Sequence, residues 1–115
     1  MATITETYDR DLMIVKCASL GADDTASTSA SYRGFVVQAL VTAASVTSAG
    51  TMTIKDDNEF DVLNGLTMPT SSNSSQFTQN GSLDGGIAVD GVLDFARASG
   101  NAGTYTITLY IARYQ

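Results

Sequence analysis

The segment from Gly103 to Tyr114 alternates between two kinds of side chain, one set apolar and the other rich in threonine. A period of two places each set on its own face of an extended strand, so the segment predicts a strand with one buried face. A helix would need apolar residues at every third or fourth position instead. The predicted buried set is Tyr105, Ile107, Leu109 and Ile111.

Similar patterns recur along the chain at intervals of about ten residues. We predict further strands at 11–20, 32–46, 51–55, 59–63, 86–89 and 92–97. Asp90-Gly91 predicts a tight hairpin turn after the strand at 86–89, and a longer loop is predicted to join 92–97 to the last strand as a hairpin. Composition alone would also permit a helix at 32–46, but the Val, Thr, Phe and Tyr content favours a strand.

The remaining segments are predicted to be loops or an arm. Residues 21–31, 43–50 and 67–82 are rich in Ser, Thr, Ala and Gly, which is typical of loops. Residues 1–10 are predicted to form an extended N-terminal arm, and residues 11–115 a single domain. Seven or eight short strands predict an all-β, antiparallel sandwich that is jelly-roll-like or immunoglobulin-like. The chain has no Trp, so it lacks a hallmark of true immunoglobulin domains.

Charge and residue types exclude several classes of function. The formal net charge is −6, and the six basic residues are scattered, so binding to nucleic acid or to an anionic membrane is disfavoured. The chain has no histidine and one cysteine, Cys17, which removes the common catalytic triads and thiolate zinc sites. We therefore expect no enzymatic activity and no cofactor. Cys17 lies in an apolar run and is predicted to be a buried structural thiol.

Two groups of acids and the tyrosines leave alternatives open. The acids of residues 56–61 could bind calcium, but a solvated turn is the favoured interpretation. Asp84 and Asp90 flank a short strand and could also be ligands. The five tyrosines could stack on sugars, although packing within strands with a hydrated hydroxyl is the simpler interpretation.

The order of these segments resembles the small jelly-roll decoration (cement) proteins of tailed bacteriophages. The resemblance covers residues 34–113. It rests on the segment from Gly50 to Asp56, the strand from Phe60 to Leu66, the polar loop after it, and the segments Gly91 to Phe95 and Ala102 to Tyr110.

This resemblance implies a virion structural protein on the outer capsid surface that clamps neighbouring major capsid proteins together, often as a homotrimer. No signal peptide or membrane span is evident, so synthesis in the host cytoplasm is expected. The arm is the segment expected to reach a neighbour by strand addition, with Ile4, Glu6, Tyr8 and Arg10 as partner contacts, and the alternative is a disordered tail. The alternatives are another virion β domain from the neck, tail or fibre, and a glycan-binding or surface-binding module.

Overall fold

The fold is described from a computed structural model, which covers residues 2–10, 12–48, 50–59, 61–62, 68–78, 87–98 and 102–113. Within these ranges the chain forms β-strands and no helix, which confirms the predicted all-β class. The strands are β1 (Thr3–Asp9), β2 (Leu12–Leu20), β3 (Thr25–Ser27), β4 (Tyr32–Ala44), β5 (Thr51–Lys55), β6 (Ser74–Thr78), β7 (Ile87–Gly91), β8 (Asp94–Ala98) and β9 (Thr104–Arg113). The described residues thus offer no helix that could cross a membrane.

The strands form two antiparallel sheets. The larger sheet has the order β1-β2-β9-β4, and both β6 and β7 pair with the remaining edge of β4. The smaller sheet has the order β3-β8-β5. Three antiparallel pairs are nested within one another along the chain: β2 with β9, β3 with β8, and β4 with β7. This nesting is what a long, rolled-up hairpin produces, and it gives the sandwich its jelly-roll character.

Both hairpins predicted near the C-terminus are wrong. Strand β7 pairs with β4 in the larger sheet, whereas β8 pairs with β3 and β5 in the smaller one, and β9 returns to the larger sheet. Asp90-Gly91 therefore marks a crossing between sheets. Gly91 has a φ of +110°, and a Cβ there would overlap the carboxylate of Asp57, so the crossing requires glycine.

Two predicted loops contain short strands. Strand β3 lies within residues 21–31 and β6 within 67–82, and neither shows an apolar alternation because both consist mainly of Ser, Thr and other small or polar residues. Part of the predicted strand at 59–63, Phe60 and Leu63, lies outside the described residues, and within the described part Asp61 forms an isolated bridge with Lys55.

The prediction of a strand at 32–46 is confirmed for residues 32–44, but its side chains do not alternate regularly, since a period of two would place Val36 and Ala39 on opposite faces. The register of β4 against β9 shifts between Val36 and Gln38. Such a bulge adds one residue and reverses the faces beyond it. Val36 consequently faces the core together with Ala39 and Val41, and all three are fully buried.

The core lies between the two sheets. The predicted inner face of β9 is confirmed, because its four apolar side chains are fully buried. Ile54 and Phe95 approach them from the smaller sheet and are also fully buried. Cys17 lies in the same core, as predicted for a structural thiol. Burial, together with the negative charge of Asp24, raises the pKa of the Cys17 thiol to about 11, so the reactive thiolate is scarce at neutral pH.

A buried arginine closes one end of the sandwich. Arg97 on β8 is 1% exposed. Its guanidinium donates to the carbonyl of Gly103 at 3.0 Å, to that of Ser48 at 2.9 Å and to that of Leu20 at 3.5 Å. It also lies 4.8 Å from the centre of the Tyr105 ring. One side chain thereby joins the end of β2, the segment after β4 and the start of β9.

Candidate interaction surface

The acidic turn after β5 has a structural role. Asp56 is 1% exposed, and its carboxylate accepts hydrogen bonds from the backbone N–H of Asn58 at 2.9 Å and of Asp90 at 3.1 Å. The carboxylate of Asp61 accepts one from the backbone N–H of Ile54 at 3.1 Å. The favoured interpretation as a solvated turn is therefore wrong for Asp56, whose burial has no signature in the local sequence.

The search for metal ligands gives no candidate centre. No three His, Cys, Asp or Glu side chains among the described residues are arranged to hold an ion. Asp84, which the sequence offered as a ligand, lies outside the described residues. Asp90 is exposed, and its backbone groups pair with the acidic turn.

The tyrosines are divided between the core and the surface. Tyr32 and Tyr105 are buried, and their hydroxyls donate to the Glu6 carboxylate at 2.6 Å and to the carbonyl of Pro69 at 2.7 Å. Tyr8 is 61% exposed. Packing in strands therefore accounts for Tyr32 and Tyr105, whose hydroxyls donate to protein groups. Tyr110 is half-buried on β9, and Tyr114 lies outside the described residues.

The four predicted contact residues lie on β1 or directly after it. The arm is extended, and β1 pairs with β2 along its whole length as the edge strand of the larger sheet. Ile4 packs partly against the core, Glu6 is half-buried and Tyr8 is exposed. Arg10 is exposed in the turn to β2.

Glu6 fastens β1 to the segment that precedes β4. Its carboxylate accepts hydrogen bonds from the Tyr32 hydroxyl, from the backbone N–H of Ser29 at 3.0 Å and from that of Ala30 at 3.1 Å. Partial burial raises the pKa of Glu6, but these three hydrogen bonds outweigh that effect and leave the pKa below its ordinary value. Burial and the hydrogen bond to Glu6 raise the pKa of Tyr32.

This arrangement predicts a contribution to stability that is lost in acid. Because the pKa of Glu6 is lower in the folded than in the unfolded state, its ionised form stabilises the fold above about pH 4.5, and the contribution disappears as the pH falls through the folded-state pKa. We expect Glu6→Gln to lower the free energy of unfolding at pH 7 and to differ little from the native chain at pH 3. Urea unfolding at pH 7 and at pH 3 measures the free energy of unfolding of both proteins.

The exposed Glu59 provides a matched control for that experiment. Glu59→Gln should leave the free energy of unfolding at pH 7 nearly unchanged, since substitutions of exposed residues are usually close to neutral. If the difference in the free energy of unfolding between the native protein and Glu6→Gln stays constant from pH 7 to pH 3, the charge of the carboxylate is not what stabilises β1.

The sheet edges are protected unequally. Residues 61 and 62 cover β5, where the N–H of Val62 donates to the carbonyl of Ile54 at 2.7 Å. At β7, the N–H of Asp57 donates to the carbonyl of Asp90 at 3.1 Å. In the described part of the chain no backbone group caps the outer edge of β1 at residues 3–7. These five residues include no Pro, Lys or bulge, the features that usually discourage a further strand.

The small and polar alternation of residues 1–10 predicts an extended arm, and the resemblance makes it a candidate partner contact, but neither reveals the two structural features that distinguish this surface. The Glu6–Tyr32 hydrogen bond joins residues 26 apart, and the capped edges depend on contacts between distant strands.

Comparison with protein-family models, with curated proteins and with solved structures found no match to this chain.

Proposed function

We propose that this chain is a virion structural protein that binds the outside of a bacteriophage capsid and stabilises it by clamping neighbouring major capsid proteins. The observation that carries the proposal is the outer edge of β1, which no backbone group of the described residues caps at residues 3–7. At seven residues β1 is also the longest edge strand that the structure describes, since β3, β5, β6 and β7 have three to five residues. A regular edge of this kind is suited to receive an extended segment of another protein.

Three further properties support the proposal. The jelly-roll arrangement agrees with the fold that the resemblance to decoration proteins implies. The net charge of −6 favours a partner surface with basic residues and disfavours the packaged nucleic acid. Backbone hydrogen bonds along one strand give modest affinity, but many copies on a repetitive shell would bind with high avidity.

Removal of β1 tests the proposal. No side chain of β1 is fully buried, so we expect the chain lacking residues 2–10 to keep the fold. We expect it to bind capsid shells at least tenfold more weakly than the full chain when both are sedimented with shells from the phage that carries the gene. Thr3→Ser provides a matched control, because it keeps β1 and should bind like the native chain.

The outcome separates a partner contact from a structural role. Circular dichroism must show a cooperative melt for the truncated chain, and loss of that melt would place β1 among the elements required for folding. If the truncated chain folds and binds shells as well as the full chain does, β1 is not part of the interface. Absence of shell binding by the full chain would contradict the proposed function itself.

A further inference from the structure

The turn between β1 and β2 is short and conformationally unfavourable. Asp9 pairs with Leu12, so only Arg10 and Asp11 remain to connect the strands. Two-residue hairpin turns require a positive φ at their first position, where Gly, Asn and Asp are favoured. Arg10 has a φ of +59°, a conformation that L-residues with long side chains rarely adopt. Extending this turn would relieve that strain.

Strand β1 can leave its own domain without opening the core. Its side chains are exposed or half-buried, with Ile4 packing only partly against the core, and its neighbours are β2, β3 and the residues that hold Glu6. Every one of these contacts would be available on a second copy of the chain. Short, strained hinges next to such a strand favour exchange between copies.

The register gives the exchanged form a further advantage. The two residue numbers in each β1–β2 pair add up to 21, from Thr3 with Ala18 to Asp9 with Leu12. If the same register continues between two copies through an extended hinge, Arg10 of each copy lies opposite Asp11 of the other. Opposite charges that face each other across antiparallel strands stabilise the pair of strands.

We propose that two copies of this chain exchange β1 reciprocally, so that each β1 pairs with β2 of the other copy and the Arg10-Asp11 turn becomes a continuous strand. The Glu6 carboxylate then accepts its hydrogen bonds from Ser29, Ala30 and Tyr32 of the second copy. This inference needs no capsid, and trimers formed through other surfaces could be linked to one another in the same way.

A pair of introduced cysteines distinguishes two forms. In the closed form β1 pairs with β2 of its own chain, and in the exchanged form it pairs with β2 of the other copy. Thr5 and Lys16 are paired and exposed, so Thr5→Cys with Lys16→Cys, in a chain that also carries Cys17→Ala, can form a disulfide across the two strands. In the closed form the bond lies within one chain of 12.0 kDa. In the exchanged form two bonds join two chains, and a denaturing gel without reductant shows a band of twice that mass.

We expect the linked dimer to become the main band when the protein is oxidised after incubation at millimolar concentration. Adding Arg10→Asn and Asp11→Gly to the same chain relaxes the turn and removes both charge pairs, and should reduce the dimer at least tenfold. Adding Arg10→Lys instead keeps both a long side chain at the strained position and opposite charges across the hinge, and should preserve the dimer. A disulfide within one chain at every concentration, or equal dimer in the Asn-Gly variant, would overturn the proposal.

Discussion

We expect Ile107→Asp to abolish the folded state. Ile107 is fully buried on β9, the central strand that pairs with both β2 and β4. Placing an unpaired carboxylate there costs several kcal/mol and also removes the packing of the isoleucine. Since the free energy of unfolding of a domain is about 5–15 kcal/mol, we expect no cooperative thermal transition in circular dichroism.

The neighbouring position provides the control for this prediction. Thr108 is half-buried on the outer face of the same strand and pairs with Lys16 of β2. Thr108→Asp places the same carboxylate near a basic side chain and water, so we expect a folded protein that loses only about 1 kcal/mol, the difference in strand propensity between threonine and aspartate. A native melt for Ile107→Asp would show that the buried face of β9 is assigned wrongly, whatever the control does.

Arg97→Met is the second substitution with a large expected effect. Methionine can occupy most of the space of the arginine, but it cannot donate to the carbonyls of Gly103 and Ser48. A fully buried acceptor left without a partner costs about 1–3 kcal/mol, and these two partly buried carbonyls fall towards the lower end of that range. Loss of the contact with the Tyr105 ring adds to this, so we expect the free energy of unfolding to fall by about 3–5 kcal/mol.

Two further variants show whether the guanidinium geometry is responsible. Arg97→Lys keeps the charge but not the planar set of donors that reaches several carbonyls, so it should lie between the native chain and Arg97→Met in urea unfolding. Arg33→Met changes an exposed arginine in the same way and should be almost neutral. If Arg97→Met proved as stable as the native chain, the carbonyl contacts would contribute nothing measurable to stability.

Strands and their buried faces were predicted best from the sequence where burial itself causes the periodicity of the side chains. The alternation at Ile107 and Leu109 is a direct consequence of one face of β9 meeting the core, so the strand and its buried face were both correct. Strand β3 could not be found in this way, because its three small and polar residues are held by pairing with β8 rather than by an apolar face. The bulge at residue 37 likewise depends on the register with β9.

The candidate interaction surface was less accessible to sequence analysis than the fold. Glu6 stays a predicted partner contact, and the hydrogen bond that its carboxylate accepts from Tyr32 joins residues too far apart in sequence for a local pattern to reveal. The buried Arg97 was treated as one of six scattered basic residues. Turn residues such as Asp90-Gly91 showed where the chain changes direction, whereas the choice of sheet depends on packing against strands far away in sequence.

Electron microscopy of intact particles tests the proposed location most directly. Gold-labelled antibody against this chain would be applied to purified virions of a tailed bacteriophage, the source of the chain under the proposed function. We predict label distributed over the outer surface of the heads, at many sites on each particle. Label confined to necks, tails or fibres would contradict the decoration role and favour another virion β domain. Unlabelled particles would show that the chain is not displayed on the virion.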